Sequence, residues 1–536
     1  MRFEITGIVT LAAVGLLGVV VLLFPESVAN GIAEITQWVV SAAGRWVLWL
    51  CSAAVLLSIL LVVGPWGRRR LGGSDGQPEF SLVAWLAMLF AAGMGSGLVF
   101  WGLAEPLSHY ALEPAVGLGS DSAASSNGRA SQALALTFLH WGVHAWAVYA
   151  VAGLAFACLG STVTAQVGSA KTNTQSGRAS SAVKRSELGH GEALIASLTG
   201  ADVGARGTRI WGRLFDLVAL LAVLFGVAGS LANGVDLLQV GLTAQGGESI
   251  PGWLLLLVLG TLSLVSAGSG LRRGIRVLSL FNMALALTLM IWLWLVIDWR
   301  TVLSLLMDSV WLYLKALPSW SIRLIADADA GTDWAEGWTV VYLLWWIAWT
   351  PFVGIFLAGI SRGRSVRQYL VGVIGVPVVV SLLWFGAFGG GGLAFEQANP
   401  GALTAALGEH YTAPLFVWYS QLPGGSVLAW GSLLTLSVFL VTSADSATWV
   451  MRRLAGAWLP AVPWVWGLLM LLMGFALVLR GEVDVNKQVA IAGAIPFSFV
   501  LVLQITALVR WLLIGGGSSQ GGGRSKLGVR AKTPVD

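Results

Sequence analysis

The sequence predicts an all-α, polytopic membrane protein with twelve transmembrane helices, and three observations carry that reading. Charged residues make up only 11% of the 536 and hydrophobic residues 57%, where a soluble domain carries about a quarter charged. The apolar residues fall in many runs long enough to cross the hydrocarbon core, which takes roughly 20 residues as helix, and mean hydropathy is +0.80. Basic residues collect in every second linker between those runs, the positive-inside pattern of membrane proteins.

The spans begin near Ile5, Trp46, Phe80, Ala133, Phe215, Trp253, Val277, Trp338, Gln368, Leu428, Val462 and Val489. The first opens as a secretory leader does, "MRFEITGIVTLAAVGLLGVVVLLFPES", but its apolar stretch is too long and lacks a cleavage site, so it reads as a retained span. Arg68, Arg69 and Arg70 follow span two, and Arg272, Arg273 and Arg276 follow span six. Arg362, Arg364 and Arg367 follow span eight, and Arg452 and Arg453 follow span ten. The loop after span four carries Lys171, Arg178, Lys184, Arg185, Arg206 and Arg209. The alternate linkers are acidic or mixed, with Glu26 and Glu34, then Glu105, Glu113 and Asp121, then Asp327, Asp329, Asp333 and Glu336. Even-numbered linkers and both termini are therefore expected on the cytoplasmic side.

Residues 160–210 read as a flexible cytoplasmic loop, since Gly160 to Ser186 is rich in Ser, Thr, Gly and Ala, and residues 515–536, opening "GGGSSQGGGRSK", read as a flexible tail. Residues 299–317 are apolar but contain Asp308 and Lys315, which suits an interfacial amphipathic helix better than a thirteenth span. Cys51 and Cys158 both lie in apolar runs and imply neither a disulfide framework nor a metal quartet.

Enzyme chemistry finds little support. No Gly-x-x-x-x-Gly-Lys-Ser/Thr loop is present to cradle a nucleotide. "GMGSG", Gly93 to Gly97, is no dinucleotide fingerprint, because no strand precedes it. His140 and His144 share one helix face at i, i+4 but have no Glu partner or further ligand nearby in the sequence, so they read as packed or hydrogen-bonded side chains.

Three features interrupt the apolar runs. Gly93, Gly95 and Gly97 lie mid-span; such glycines serve close helix packing or unwound backbone lining a cavity, and spacing alone fits both. "VFLVTSADSATW" sets Thr442, Ser443 and Ser446 beside Asp445; hydroxyls can bond back to their own helix, whereas an intramembrane Asp is costly and usually functional. Hard oxygens near a broken helix suit an alkali cation. Finally, Trp141, Trp146 and Tyr149 fall on one helix, and Trp345, Trp346 and Trp349 on another, the last just before Thr350-Pro351. Two such sets can face each other as a cage. A Trp/Tyr cage suits a quaternary ammonium, with cation–π attraction of about 2 kcal/mol or more when desolvated.

From about Pro25 to Leu513 the chain resembles the betaine/choline/carnitine transporter family. The segments that carry the resemblance are "RLGGSDGQPEFSLVAWLAMLFAAGMGSGLVFWGLAEPLSHY", "FLHWGVHAWAVYA", "WWIAWTPFVGIFLAGISRGRSVRQY" and "VTSADS". The resemblance implies a leucine-transporter-like fold: two extra N-terminal helices within residues 1–78, then a core over 79–514 built as two inverted five-helix repeats. Gly93–Gly97 and Trp349-Thr350-Pro351 become an expected pair of discontinuous helices. It further implies a homotrimer in the bacterial inner membrane, importing a betaine-type zwitterion by alternating access with sodium. A choline carrier, a carnitine exchanger and a non-transporting sensor are the rival readings.

Carried over residue by residue, the family's cage matches Trp141, Trp146, Tyr149 and Trp346, and Trp345 and Trp349 match aromatics along the route. Its sodium site matches backbone carbonyls of Ala91 and Met94 with Phe439, Thr442 and Ser443. The chain departs from the family elsewhere. Val223 and Val227 replace two threonines whose hydroxyls hold a second sodium, although Phe352, their partner in span eight, is retained. Ser96 stands for a larger apolar residue, and Ala145 for a common proline. At Gly97, choline carriers often place Asp and betaine carriers keep Gly. "VLSLFNMALAL" in span seven has no basic side chain to replace sodium, as in the exchangers. The tail lacks the long charged osmosensor of some members.

Overall fold

The computed structural model describes residues 24–72, 77–94, 97–112, 126–172, 189–200, 205–269, 276–325, 333–455, 464–481 and 483–514, with scattered positions between 12 and 23. The helices are α1 (Pro25–Val63), α2 (Leu82–Met94), α3 (Gly97–Ala111), α4 (Ser126–Trp141), α5 (Val143–Thr172), α6 (His190–Thr199), α7 (Arg206–Ala244), α8 (Gly252–Ser269), α9 (Arg276–Val296) and α10 (Trp299–Trp320). They continue with α11 (Val341–Ile360), α12 (Val366–Ala398), α13 (Thr404–Glu409), α14 (Ala413–Ser420), α15 (Gly425–Ala455), α16 (Val465–Arg480), α17 (Val483–Ala492) and α18 (Ala494–Ile514). Two π-helical turns, Val371–Gly375 and Gly386–Gly390, widen α12.

Nine helical stretches among the described residues are long and apolar enough to cross a membrane, and the shorter α2 and α16 fall where the sequence predicts the third and eleventh spans. The predicted first span lies largely outside the described residues. Span two differs from its expected start near Trp46: α1 begins at Pro25, which occupies the first turn, where its missing amide is no loss. Within residues 160–210 the structure describes helix to Thr172 and again over α6, whose Ala193, Leu194 and Ala196 are buried; residues 173–188 and 201–204 lie outside the described residues.

Burial sorts the spans into centre and periphery. The apolar 18-residue cores of Asp333–Ile360 and Asn127–Leu159 are 89% and 83% buried, against 22% for Gly252–Ser269 and 33% for the core of Arg276–Val296. The outer pair expose Leu257, Leu262, Val265, Phe281 and Leu295. An apolar belt of that extent is incompatible with water and fits lipid. At the centre α5 crosses α11 backbone to backbone. A Cβ on Gly153 would lie 3.1 Å from Gly354 O, and one on Gly354 would lie 3.1 Å from Gly153 N. Small residues are what lets membrane helices approach so closely.

The expected break at Trp349-Thr350-Pro351 is absent. α11 is continuous through Pro351, with the Thr350 hydroxyl donating to Trp346 O at 2.7 Å. The irregular turn lies earlier instead, as a π-helix over Glu336–Val340. Another bend, at Gly142, separates α4 from α5. A Cβ there would meet the Tyr313 hydroxyl at 2.5 Å, and Val143 N donates to that hydroxyl at 3.2 Å. A side chain of α10 thus satisfies the amide released by the bend. α10 itself is not apolar enough to rank among the spans; it buries Val302, Leu305, Leu306, Ser309 and Tyr313 and leaves Met307, Trp311 and Leu314 exposed.

The arginine-bearing linkers after spans two and eight meet on one face. Val366 N donates to Arg69 O at 2.8 Å, Leu71 N to Arg364 O at 2.9 Å, and Arg70 Nη1 to Gly363 O at 2.7 Å. Their shared side agrees with the phase read from the charges.

Candidate functional site

The bend at Gly142 and the passage of α11 beside it direct two sets of aromatics at one another. The Trp141 and Trp346 ring centroids lie 5.1 Å apart at 81°, Trp141 and Tyr342 5.7 Å at 64°, and Tyr149 and Trp346 5.7 Å at 83°. Between α2, α3, α7 and these rings is a cavity of about 40 Å³ lined by Gly93, Met94, Gly97, Trp101, Trp141, Ser230, Asn233, Tyr342, Trp345, Trp346 and Trp349. That is room for only a few water molecules.

The hydrogen bonds of the rings decide what the cavity presents. Trp141 Nε1 donates to Glu105 Oε2 at 2.6 Å, Trp346 Nε1 to His140 O at 2.8 Å, and Trp349 Nε1 to Gly226 O at 3.2 Å. The Tyr342 hydroxyl also donates to Glu105 Oε2, at 2.6 Å. These polar tips are spent on the protein, so the wall offers mainly ring surface. Such a wall can hold a ligand that is cationic and has no proton to donate.

Of the residues singled out in the sequence, Gly93, Met94, Gly97, Trp141, Trp345, Trp346 and Trp349 line the cavity. Trp146 and Tyr149 stand behind it. Trp146 is fully buried, and a Cβ on Gly93 would lie 2.6 Å from its Cη2. Gly97 is pressed in the same way, its Cβ position 2.8 Å from Trp141 Cη2. The glycines thus make room for two tryptophans. Gly95 and Ser96 lie outside the described residues.

The proposed ion ligands Ala91, Met94, Phe439, Thr442 and Ser443 are all buried on α2 and α15, which touch. Thr442 Oγ1 donates to Val438 O and Phe439 O, each at 3.0 Å, while Ser443 Oγ is buried with no hydrogen-bond partner. An orphaned oxygen of this kind fits a cation. Asp445 serves elsewhere: it accepts from Ser446 and from Ser266, tying α15 to α8. Val223 and Val227 are fully buried with Phe352.

Four wall residues were not singled out: Trp101, Ser230, Asn233 and Tyr342. Nor was Glu105, which the charge pattern assigns to an acidic linker. It is instead fully buried in α3, because His140 Nδ1 lies 2.6 Å from its Oε1 and His109 Nε2 3.5 Å from the same oxygen. His140 therefore has the carboxylate partner the sequence reading denied it, 35 residues away. His144 points elsewhere, to Ser52 and Ser321 hydroxyls at 3.3 and 3.1 Å. The carboxylate in "GLAEP" was visible; of its four partners, His140, Trp141 and Tyr342 come from other helices and were not.

Comparison with known families matches residues 5–161 and 190–514 to BCCT, the betaine/carnitine/choline family transporter. The chain belongs to that family. It is 34% identical over 495 residues to the glycine betaine transporter OpuD of Bacillus subtilis, covering 91% of this chain and 90% of the relative. It is 30% identical over 537 residues to a glycine betaine/proline/choline transporter of Vibrio parahaemolyticus, covering 95% and 89%. An ectoine/hydroxyectoine transporter of Virgibacillus pantothenticus is 31% identical over 468 residues, covering 86% and 87%. This protein is thus a multi-pass membrane transporter and not an enzyme.

Proposed function

We propose that this transporter imports a betaine-type zwitterion, glycine betaine or its sulfonium analogue, in symport with sodium. The carrying observation is the aromatic cavity whose polar tips are turned onto Glu105, His140 and Gly226. A wall of ring faces stabilises a methylated onium group, which has no N–H to offer. The relatives named for glycine betaine support the same substrate class.

The proposal extends to a homotrimer in the bacterial inner membrane, termini cytoplasmic, working by alternating access on two inverted five-helix repeats. Sodium is assigned to Ala91, Met94, Phe439, Thr442 and Ser443, on the strength of the unpartnered Ser443 Oγ. A zwitterion carries no net charge, so the membrane potential alone does not concentrate it. Each co-transported cation contributes about 2.3 kcal/mol per 100 mV, roughly a fifty-fold accumulation.

Uptake of labelled glycine betaine into proteoliposomes, with and without a sodium gradient, tests the reading. Sodium-dependent accumulation is expected, and Thr442→Ala with Ser443→Ala raises the half-saturating sodium concentration about tenfold or more, as loss of two oxygen ligands requires. Accumulation without sodium defeats the ion assignment. The buried Glu105–His140–His109 cluster favours one second reading, a proton as coupling ion; uptake driven by a pH gradient alone selects it.

A further inference from the structure

One part of the cavity wall is not aromatic. Asn233 lines it from α7 while only 4% exposed. Its Oδ1 accepts from Asn486 Nδ2 on α17 at 2.8 Å, which leaves Asn233 Nδ2 and Asn486 Oδ1 without hydrogen-bond partners. A buried amide that stays unpaired is rare in folded proteins, and one on a cavity wall marks a place for an acceptor.

We propose that Asn233 reads the carboxylate of a zwitterionic substrate. The proposal rests on the betaine-type reading above and assigns the substrate's second pole. The onium end meets Trp141, Trp345 and Trp346, and the carboxylate end meets the seam of α7 and α17. Choline matches the first and lacks the second.

Equilibrium titration of the purified full-length transporter with glycine betaine and with choline, followed by tryptophan fluorescence, tests this. The unmodified protein is expected to bind betaine the more tightly. Asn233→Leu raises the dissociation constant for betaine about tenfold or more, the loss of a charge-assisted hydrogen bond, and leaves that for choline within twofold. Asn233→Asp keeps size and polarity and decides the matter should the leucine variant fail to fold: it weakens betaine and tightens choline. Equal shifts for both ligands in the Asn233 variants, or none, overturn the carboxylate assignment, as does an unmodified protein that prefers choline. If neither compound binds the unmodified protein, the betaine-type reading itself fails.

Discussion

Trp346 concentrates the cage into one side chain. Its indole N–H is held by His140 O, and its ring meets Trp141 and Tyr149 edge to face. Trp346→Ala removes a desolvated cation–π partner, about 2 kcal/mol, or some thirtyfold in apparent affinity for an onium substrate. Competition assays on membranes with matched protein levels measure it, and near-normal affinity would refute the cage. Gly93→Ala tests the floor. Its Cβ would enter the Trp146 ring at 2.6 Å, and that fully buried ring has nowhere to retreat. A drop in uptake with surface expression retained is the expected result. The same contact argument alters the outlook for Gly97→Asp, the change expected from the resemblance to favour choline. Its Cβ presses on Trp141, which Glu105 pins, so the carboxylate arrives at the cost of a cage wall.

Among the elements, the pairing of α4 and α11 through α3 matters most. Glu105 Oε2 accepts from both Trp141 and Tyr342, and Oε1 faces His140 and His109. Glutamine keeps the shape but removes the charge, so the bonds from Trp141 and Tyr342 lose their charge assistance and His140 must change tautomer to keep its own, at about 1–3 kcal/mol. Glu105→Gln is therefore expected to lower substrate affinity about tenfold and to change the intrinsic tryptophan fluorescence of the ligand-free protein. Unaltered fluorescence would show that the carboxylate does not position Trp141.

This network also marks where the sequence stops being legible. Trp141, Trp345, Trp346 and Trp349 could be read because each lies at helical spacing in one apolar run, and the spans because length and hydropathy are properties of contiguous residues. Glu105 looked like a loop acid, since His109 alone lies near it in the chain and nothing there announces a second histidine, an indole and a phenol from α4 and α11. Pro351 looked like a break, because a proline removes one backbone bond, yet the chain placed its irregular turn over Glu336–Val340 and its bend at Gly142. Long-range polar partners and the choice between kink and break are settled by packing.

Across the whole molecule, the stretch between spans nine and ten closes over the site. After α13, His410 Nε2 lies 3.2 Å from Asp236 Oδ2 on α7, and the Tyr411 ring is 6.0 Å from that of Trp101. The cap is thus fastened to the helix that also supplies Asn233. The hydrogen bond and charge of Asp236 raise the His410 pKa above its ordinary 6.5, partly offset by burial. A raised pKa favours the charged form in the folded protein, so the latch contributes fully below about pH 6.5 and is lost as pH rises through the raised value. The pair is partly exposed, at 32% and 23% of the side chains, so screening keeps its contribution small. Thermal unfolding of the purified protein against pH checks the sign. The unmodified chain is expected to exceed His410→Gln by on the order of 1–2 °C at mildly acidic pH, and the difference should vanish on the alkaline side and shrink in high salt. An advantage that grew with pH would mean that His410 is held neutral, and that the cap is fastened by Tyr411 instead.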